Sequence, residues 1–402
     1  VLMNNGKLKE TKLIWFYPSS MVEDRRNKLE TTWQKLFSKY ISDKSIPKKI
    51  SESIAPFYYY KNKGGIDASD LPVASIDIGG GTTDIVVYKD NKPEILTSCR
   101  FAANSIFGDA YNGAPERNGF VLRFLERVRK QIDDNELPDL RTVLDTISSQ
   151  QNSEDITAFL FSIENNKMII ENQIPISFNN MLSKDGDLKI VFIVFYSALI
   201  YHLAKLMNAK EYKIPRYLTF SGTGSKILGI TDSNSKLSGL QKLTNIIFQK
   251  IYATKESNIE LVQHKEPKEI TCRGGLHSDA DVDIENIKSV LIGSKENTLI
   301  TDNKITYENL NDEKLLNSII DEVNEFIDML FSINNDFNFS DKFGVNPAQL
   351  DNNMKTLKED LMRYLKSGIE IKKQVADILF VEKGISLASK FSRPSKELLE
   401  NC

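Results

Sequence analysis

A β-branched run, three consecutive glycines and a second β-branched run occupy Val73 to Asp90, and no other stretch restricts the fold as much. Ser75-Ile76-Asp77-Ile78 reads as the end of a buried strand, and Ile85-Val86-Val87-Tyr88 as a returning one. Between them Gly79, Gly80 and Gly81 have no Cβ and tolerate φ > 0. Backbone N–H groups at this turn are thereby able to approach a phosphate closely, and the Thr82 and Thr83 hydroxyls add donors. Asp77, at the end of the first strand, is placed to hold a Mg²⁺-bound water. A glycine-rich hairpin between buried strands needs no ligand. An ordinary hairpin, however, has no use for three glycines, two threonines and flanking acids together, so the combination points to phosphate.

A second glycine turn follows about 140 residues later. Tyr217-Leu218-Thr219-Phe220 reads as a strand and leads into Ser221-Gly222-Thr223-Gly224-Ser225-Lys226-Ile227-Leu228. Glycines at a strand-to-helix turn let backbone lie against a purine or ribose, and Ser225 and Lys226 open a helix whose first N–H groups face the ligand. The third glycine, the later acid and the βαβ spacing of a dinucleotide fingerprint are missing, so a Rossmann reading fails.

Asp77-Ile78-Gly79-Gly80-Gly81-Thr82-Thr83-Asp84 is similar to the second phosphate motif of the actin, hexokinase and heat-shock chaperone ATPase superfamily, closest to its chaperone-like and bacterial actin-like branches. Gly222 to Lys226 resembles the adenosine motif of the same superfamily, in the same order and with an inserted subdomain between. The resemblance implies an actin-like, ribonuclease-H-like α/β fold that binds Mg-ATP between two lobes. It implies that Asp77 is the catalytic group, ordering the metal-bound water, and that Gly79, Gly80, Gly81, Thr82 and Thr83 hold the β- and γ-phosphates. Gly222, Thr223, Gly224, Ser225 and Lys226 would line the adenosine. Sugar kinases carry a shorter glycine motif, so the likeness leans toward ATP hydrolysis rather than small-molecule phosphorylation.

Upstream, Lys12 to Tyr17 reads as a strand closed by Pro18, and Glu23 to Tyr40 as a helix with Leu29, Trp33, Leu36, Phe37 and Tyr40 at helical spacings. Glu52-Ser53-Ile54-Ala55-Pro56 and the aromatics Phe57 to Tyr60 stand where the superfamily has a Glu-Pro-Ala-Ala helix. Residues 1–72 therefore resemble the C-terminal part of the first lobe. The superfamily's first phosphate motif, Asp-x-Gly-x-x-x-Thr, has no counterpart there. The start on Val1 in a polar stretch, together with that gap, implies a piece of a longer protein whose site is half built in this chain.

Downstream, Ile95 to Phe101 is a strand, and Gly108 and Asp109 match a superfamily turn. Phe120 to Ile132 is an amphipathic helix that in the superfamily can touch the adenine edge. An inserted variable subdomain spans about 113–185. Ile190 to Met207 is the most apolar stretch, but His202 and Lys205 in its last turns favour a buried core helix over a membrane span. Leu237 to Tyr252 is a helix and Ile259 to Val262 a strand. Gly274 and Gly275 lie in a terminal helix expected to pack closely on the adenosine loop, which completes a second lobe over 73–276. Residues 277–402 carry no chemical motif. Strands are expected at Val290 to Gly293 and Lys304 to Tyr307, and long helices over Asp312 to Phe331 and from Asn346-Pro347 to about Gly368.

With 52 basic and 55 acidic residues, a net charge of −3 marks no surface for nucleic acid or for an anionic membrane. Cys99, Cys272 and Cys402 and the three histidines lack metal-ligand spacing, and so low a cysteine count suits a reducing cytoplasm. The expected function is a nucleotide-driven switch, with hydrolysis in the full-length protein and a protein client or self-assembly partner. The alternatives are a non-hydrolysing, nucleotide-gated assembly protein and, less favoured, a small-molecule kinase.

Overall fold

The computed structural model describes residues 7–107, 118–150, 152–231, 237–278, 284–288, 291–292, 299–300 and 313–373. Gly108, Asp109, Cys402 and the expected strand at 304–307 lie outside these residues. The chain begins with β1 (Ile14–Tyr17), α1 (Glu23–Tyr40), β2 (Lys48–Ser51) and α2 (Ala55–Gly64). β3 (Val73–Ile78), β4 (Thr83–Lys89) and β5 (Lys92–Cys99) then form an antiparallel meander. A helical insert follows: α3 (Asn104–Phe107), α4 (Gly119–Asp134), α5 (Pro138–Gln150), α6 (Ser153–Ser162), α7 (Lys167–Glu171) and α8 (Phe178–Lys184). The chain returns through α9 (Gly186–Ala209), β6 (Tyr217–Ser221), α10 (Ser238–Ile251), β7 (Glu260–Gln263) and α11 (Glu269–Gly275). A short ribbon of β8 (Leu291–Ile292) and β9 (Leu299–Ile300) precedes α12 (Glu313–Phe337), α13 (Phe339–Phe343) and α14 (Pro347–Lys373).

The central sheet has the order β5-β4-β3-β6-β7, with β6 and β7 parallel to β3. This is the expected α/β fold with a mainly helical C-terminal region. Alternation gives the sheet two apolar faces. Ala74, Ile76, Ile78, Ile85 and Val87 join the core built around α9, while Val73, Val86, Tyr88 and Leu96 face an aromatic core with Trp15, Tyr17, Phe57 and Tyr60. α9 is long and apolar enough to cross a membrane, but its most apolar window is entirely buried. It is the central helix of the larger core, covered on its outer flank by α12, where Tyr201 meets Phe326 at 5.3 Å between ring centroids.

The insert is helical although its sequence is rich in polar turns, because those turns are caps. Asn118, Asn152, Asn166, Ser177 and Asp185 each accept a backbone N–H at the start of α4, α6, α7, α8 and α9. Asp185 and Asp187 also receive the Arg123 guanidinium, at 2.7 and 2.6 Å. Arg123 of α4 is thus spent on the start of α9, while Arg129 of the same helix pairs with Asp145 of α5 at 3.2 Å.

Candidate functional site

The two glycine turns lie against each other. Gly222 adopts φ 79°, and a Cβ there would come within 2.4 Å of the Ile78 carbonyl and 2.5 Å of Asp77 Oδ1. A Cβ at Gly224 would meet the Gly79 carbonyl at 2.4 Å. These glycines serve close approach of backbone to backbone, and at Gly222 also the left-handed conformation. The hairpin differs from the expectation, since none of Gly79, Gly80 and Gly81 has φ > 0. A Cβ at Gly81 would meet no atom within 4 Å. The turn therefore has no internal need for glycine at that position.

Backbone hydrogen bonds close the base of the turn and leave its tip free. Gly79 N–H donates to the Thr82 carbonyl at 2.9 Å, and the carbonyls of Gly79 and Gly80 accept from Ala103 and Asn104 N–H. The N–H groups of Gly80, Gly81 and Thr82 have no partner among the described residues. Successive unpaired N–H groups make an anion-binding concavity.

Beside this tip opens a cleft of about 1010 Å³, at the upper end of the volume range of small-molecule sites. Gly80 and Asn104, the loop residues Thr223, Gly224, Lys226 and Ile227, and residues of α6 and α8 line it. Lys226 and Lys265 line the cleft without an ion pair among the described residues. α4 does not line it, so the wall expected from α4 comes from α6 instead.

Two expected donors turn inward. Thr83 is fully buried and its hydroxyl donates to the Phe101 carbonyl at 2.6 Å. Counting by twos from Ile85 puts Thr83 on the core face, a signal present in the sequence. Ser225 gives both its N–H and its hydroxyl to the Gly222 carbonyl, at 3.1 and 2.8 Å. Gly222 opens a 3₁₀ turn over Thr223–Ile230 rather than an α-helix, so the expected helix N-terminus facing a ligand is not formed. Thr83 and Ser225 thus anchor their loops.

Asp77 belongs to a polar row that crosses four strands. Ser98, Asp84, Asp77 and Ser221 are successive lateral partners on β5, β4, β3 and β6. The Ser221 hydroxyl donates to Asp77 at 2.8 Å and the Ser98 hydroxyl to Asp84. Asp84 also accepts from Ser19 at 2.7 Å and from Ser53, so it ties residues 14–64 to the sheet. Burial raises the Asp77 carboxyl to about 6, against the opposing Ser221 hydroxyl and with the help of the Asp84 charge. Glu52, assigned no role from sequence, is raised to about 7 by burial and by the charges of Asp84 and Asp77. Among the described residues no group of three or more His, Cys, Asp or Glu side chains is arranged to hold a metal.

Gly274 and Gly275 pack elsewhere than expected. A Cβ on Gly274 would lie 1.9 Å from the Ala55 carbonyl, and one on Gly275 would lie 2.4 Å from Phe16 Cζ. α11 therefore closes on α2 and β1, not on the adenosine loop.

Neither protein-family models nor curated proteins match this chain. Among solved structures it is similar to MreB5 of Spiroplasma citri bound to ADP, at 15% identity over 68% of this chain and 70% of that one, with a TM-score of 0.27. It is also similar to the archaeal actin homolog Ta0583 (16%; 57% and 56%; 0.23) and to the PilM-PilN type IV pilus biogenesis complex (12%; 57% and 53%; 0.27). The chain spans about half to seven tenths of these structures. Likeness at these scores decides nothing about what this chain binds or does.

Proposed function

We propose that the chain is a nucleotide-binding switch protein of the actin-like and chaperone-like ATPase type that takes Mg-ATP in the cleft between the hairpin tip and the Thr223–Lys226 loop. The observation that carries this reading is the run of three unpaired N–H groups at Gly80, Gly81 and Thr82, of which Gly80 lines the same cleft as Lys226 and Lys265. Bound Mg-ATP would supply a phosphoryl group whose transfer to water depends on positioning and charge neutralisation. The tip would hold the phosphates. Thr223, Gly224 and Lys226 would lie along the nucleoside, and Asp77 would face the metal through water. Mg²⁺ commonly keeps several waters and takes one or two carboxylates plus phosphates, so a single facing carboxylate suits it.

In this reading residues 1–72 belong to a first lobe, 73–276 form the second with its insert, and 277–402 are an extension. The proposed setting is the cytoplasm, with a protein client or a second copy as partner. Among the similar structures are a PilM-PilN complex and a non-polymerising MamK mutant bound to AMPPNP. Gly81→Val tests the site. The space around Gly81 admits the side chain without a clash, so the variant should fold while its branches cover the free N–H groups. Calorimetry with Mg-ATP should show at least a tenfold loss of affinity, about 1.4 kcal/mol. No binding by wild type, or equal binding by a folded Gly81→Val, would refute the assignment.

A further inference from the structure

Asn104 stands between the hairpin tip and α6. Its N–H donates to the Gly80 carbonyl at 2.8 Å, its Nδ2 donates to Glu154 Oε1 at 2.5 Å, and a Cβ at Gly80 would lie 3.2 Å from its Oδ1. Glu154 is exposed in the first turn of α6, just past the Asn152 cap, on the helix face that lines the cleft with Thr157, Ala158 and Phe161. No basic side chain pairs with it among the described residues. The second carboxylate of this wall, Glu164, is committed differently: it accepts from the Ser177 hydroxyl and Asn179 N–H, each at 2.7 Å, and from the Asn179 amide. Glu154 is therefore the negative charge held against the flank of the phosphate turn, through the backbone N–H and the side-chain amide of one residue, Asn104.

Two anions on opposite sides of Asn104 repel each other, and although water reaches the exposed Glu154 carboxylate, charges closer than a Debye length of about 8–10 Å are only partly screened. We infer that Glu154 and Asn104 make the cleft selective for the charge of its ligand, so that a polyphosphate and the Glu154 carboxylate compete for the flank of the turn. The inference rests on the nucleotide reading above and sharpens it. A metal-free nucleoside triphosphate is penalised relative to the nucleoside, and a divalent cation that lowers the ligand's charge relieves the penalty. The coupling is reciprocal, so phosphate at the tip weakens the Glu154–Asn104 contact by the same factor by which that contact weakens phosphate binding.

Glu154→Gln is the informative variant, because Gln Oε1 still accepts from Asn104 while the charge is gone. Without divalent cation, Glu154→Gln should bind ATP about fivefold or more tightly than wild type, and adenosine within a factor of two. Glu154→Asp, which keeps the charge, should stay close to wild type. The Asn104 side-chain amide resonances should shift when wild type binds ATP, and shift less in Glu154→Gln. A merely structural role for Glu154 would shift ATP and adenosine affinities together, and that result overturns the inference while leaving the nucleotide reading standing; so does an unchanged ATP affinity in Glu154→Gln. If neither wild type nor Glu154→Gln binds ATP, both readings fall.

Discussion

The order strand, helix, parallel strand, helix occurs twice in this chain. Once it is β1-α1-β2-α2 over residues 14–64, and once it is β6, α10, β7 and α11 over residues 217–275. The second copy is knitted into the five-stranded sheet, with β6 hydrogen-bonded on both sides. In the first copy β1 and β2 pair only with each other among the described residues, and two short strands do not hold themselves together in water. What holds them is lateral: the crossing of α2 with α11 at Gly274, the Phe57 ring stacked on Tyr88 at 3.8 Å, the Tyr60 hydroxyl on the Phe220 carbonyl, and the serines that meet at Asp84. One unit owes its shape to main-chain ladders, and its counterpart to side chains along one seam. The seam passes directly behind Asp77 and Glu52.

The comparison breaks most completely if the sheet itself is undone. Phe195, 2% exposed on α9 and packed on Phe101 at 4.5 Å, is in the core that supports the second copy. Phe195→Asp buries an unpaired carboxylate and should cost about 4 kcal/mol or more. Urea unfolding should show both copies lost together, and a variant of wild-type stability would contradict the burial described. Gly274→Val acts on the seam alone. Backbone cannot yield to a Cβ 1.9 Å from the Ala55 carbonyl without α11 shifting, so a loss of about 3 kcal/mol is expected. Hydrogen exchange should rise first in α2, β1 and β2, with β3 and β6 still protected.

Asp84→Ala should cost about 2 kcal/mol, because three serine hydroxyls lose a buried acceptor. Exchange at residues 14–64 should again rise before the sheet, and uniform protection would mean that the serine network does not hold the copies together. A change of pH acts on the same seam. Asp77 and Glu52 are raised in the fold to about 6 and 7 from ordinary values near 4. The folded protein therefore binds more protons than the unfolded chain between those limits. Their contribution to stability is fully present below about pH 4 and is lost as pH rises through 6 to 7. Chemical denaturation at pH 5 and pH 8 should reveal it as a difference that narrows in Glu52→Gln. Equal pH dependence in the two proteins would detach Glu52 from the seam.

Much of the second copy was legible, because its strands are apolar runs and its turns are glycines. α1 too was read to its bounds, Glu23 to Tyr40, from its helical spacing. β2 was not read: Lys48-Lys49-Ile50-Ser51 offers a single apolar residue, and it is a strand because β1 lies beside it. Glu52 lies in the sequence 25 residues before Asp77, and only the third dimension brings their charges together. The expectation that the hairpin glycines are there for φ > 0 failed, since the left-handed backbone belongs to Gly222 and not to them. In the insert, Asn and Ser residues that look like loop composition are helix caps. That distinction depends on which N–H lies within reach, and composition does not record it.

The burial of α9 has a consequence for how the chain is made. The helix that covers its outer flank, α12, ends at Phe337, 128 residues after α9 ends at Ala209. At ordinary synthesis rates of about 5 to 20 residues per second, a ribosome needs roughly 6 to 26 s to supply that cover. Throughout that interval the nascent chain carries a segment of 24 residues whose length and hydropathy match a membrane span. The cell's sorting machinery reads segments of this kind before folding can hide them. Until α12 arrives, the earlier strands and α10 are what the chain has to cover α9.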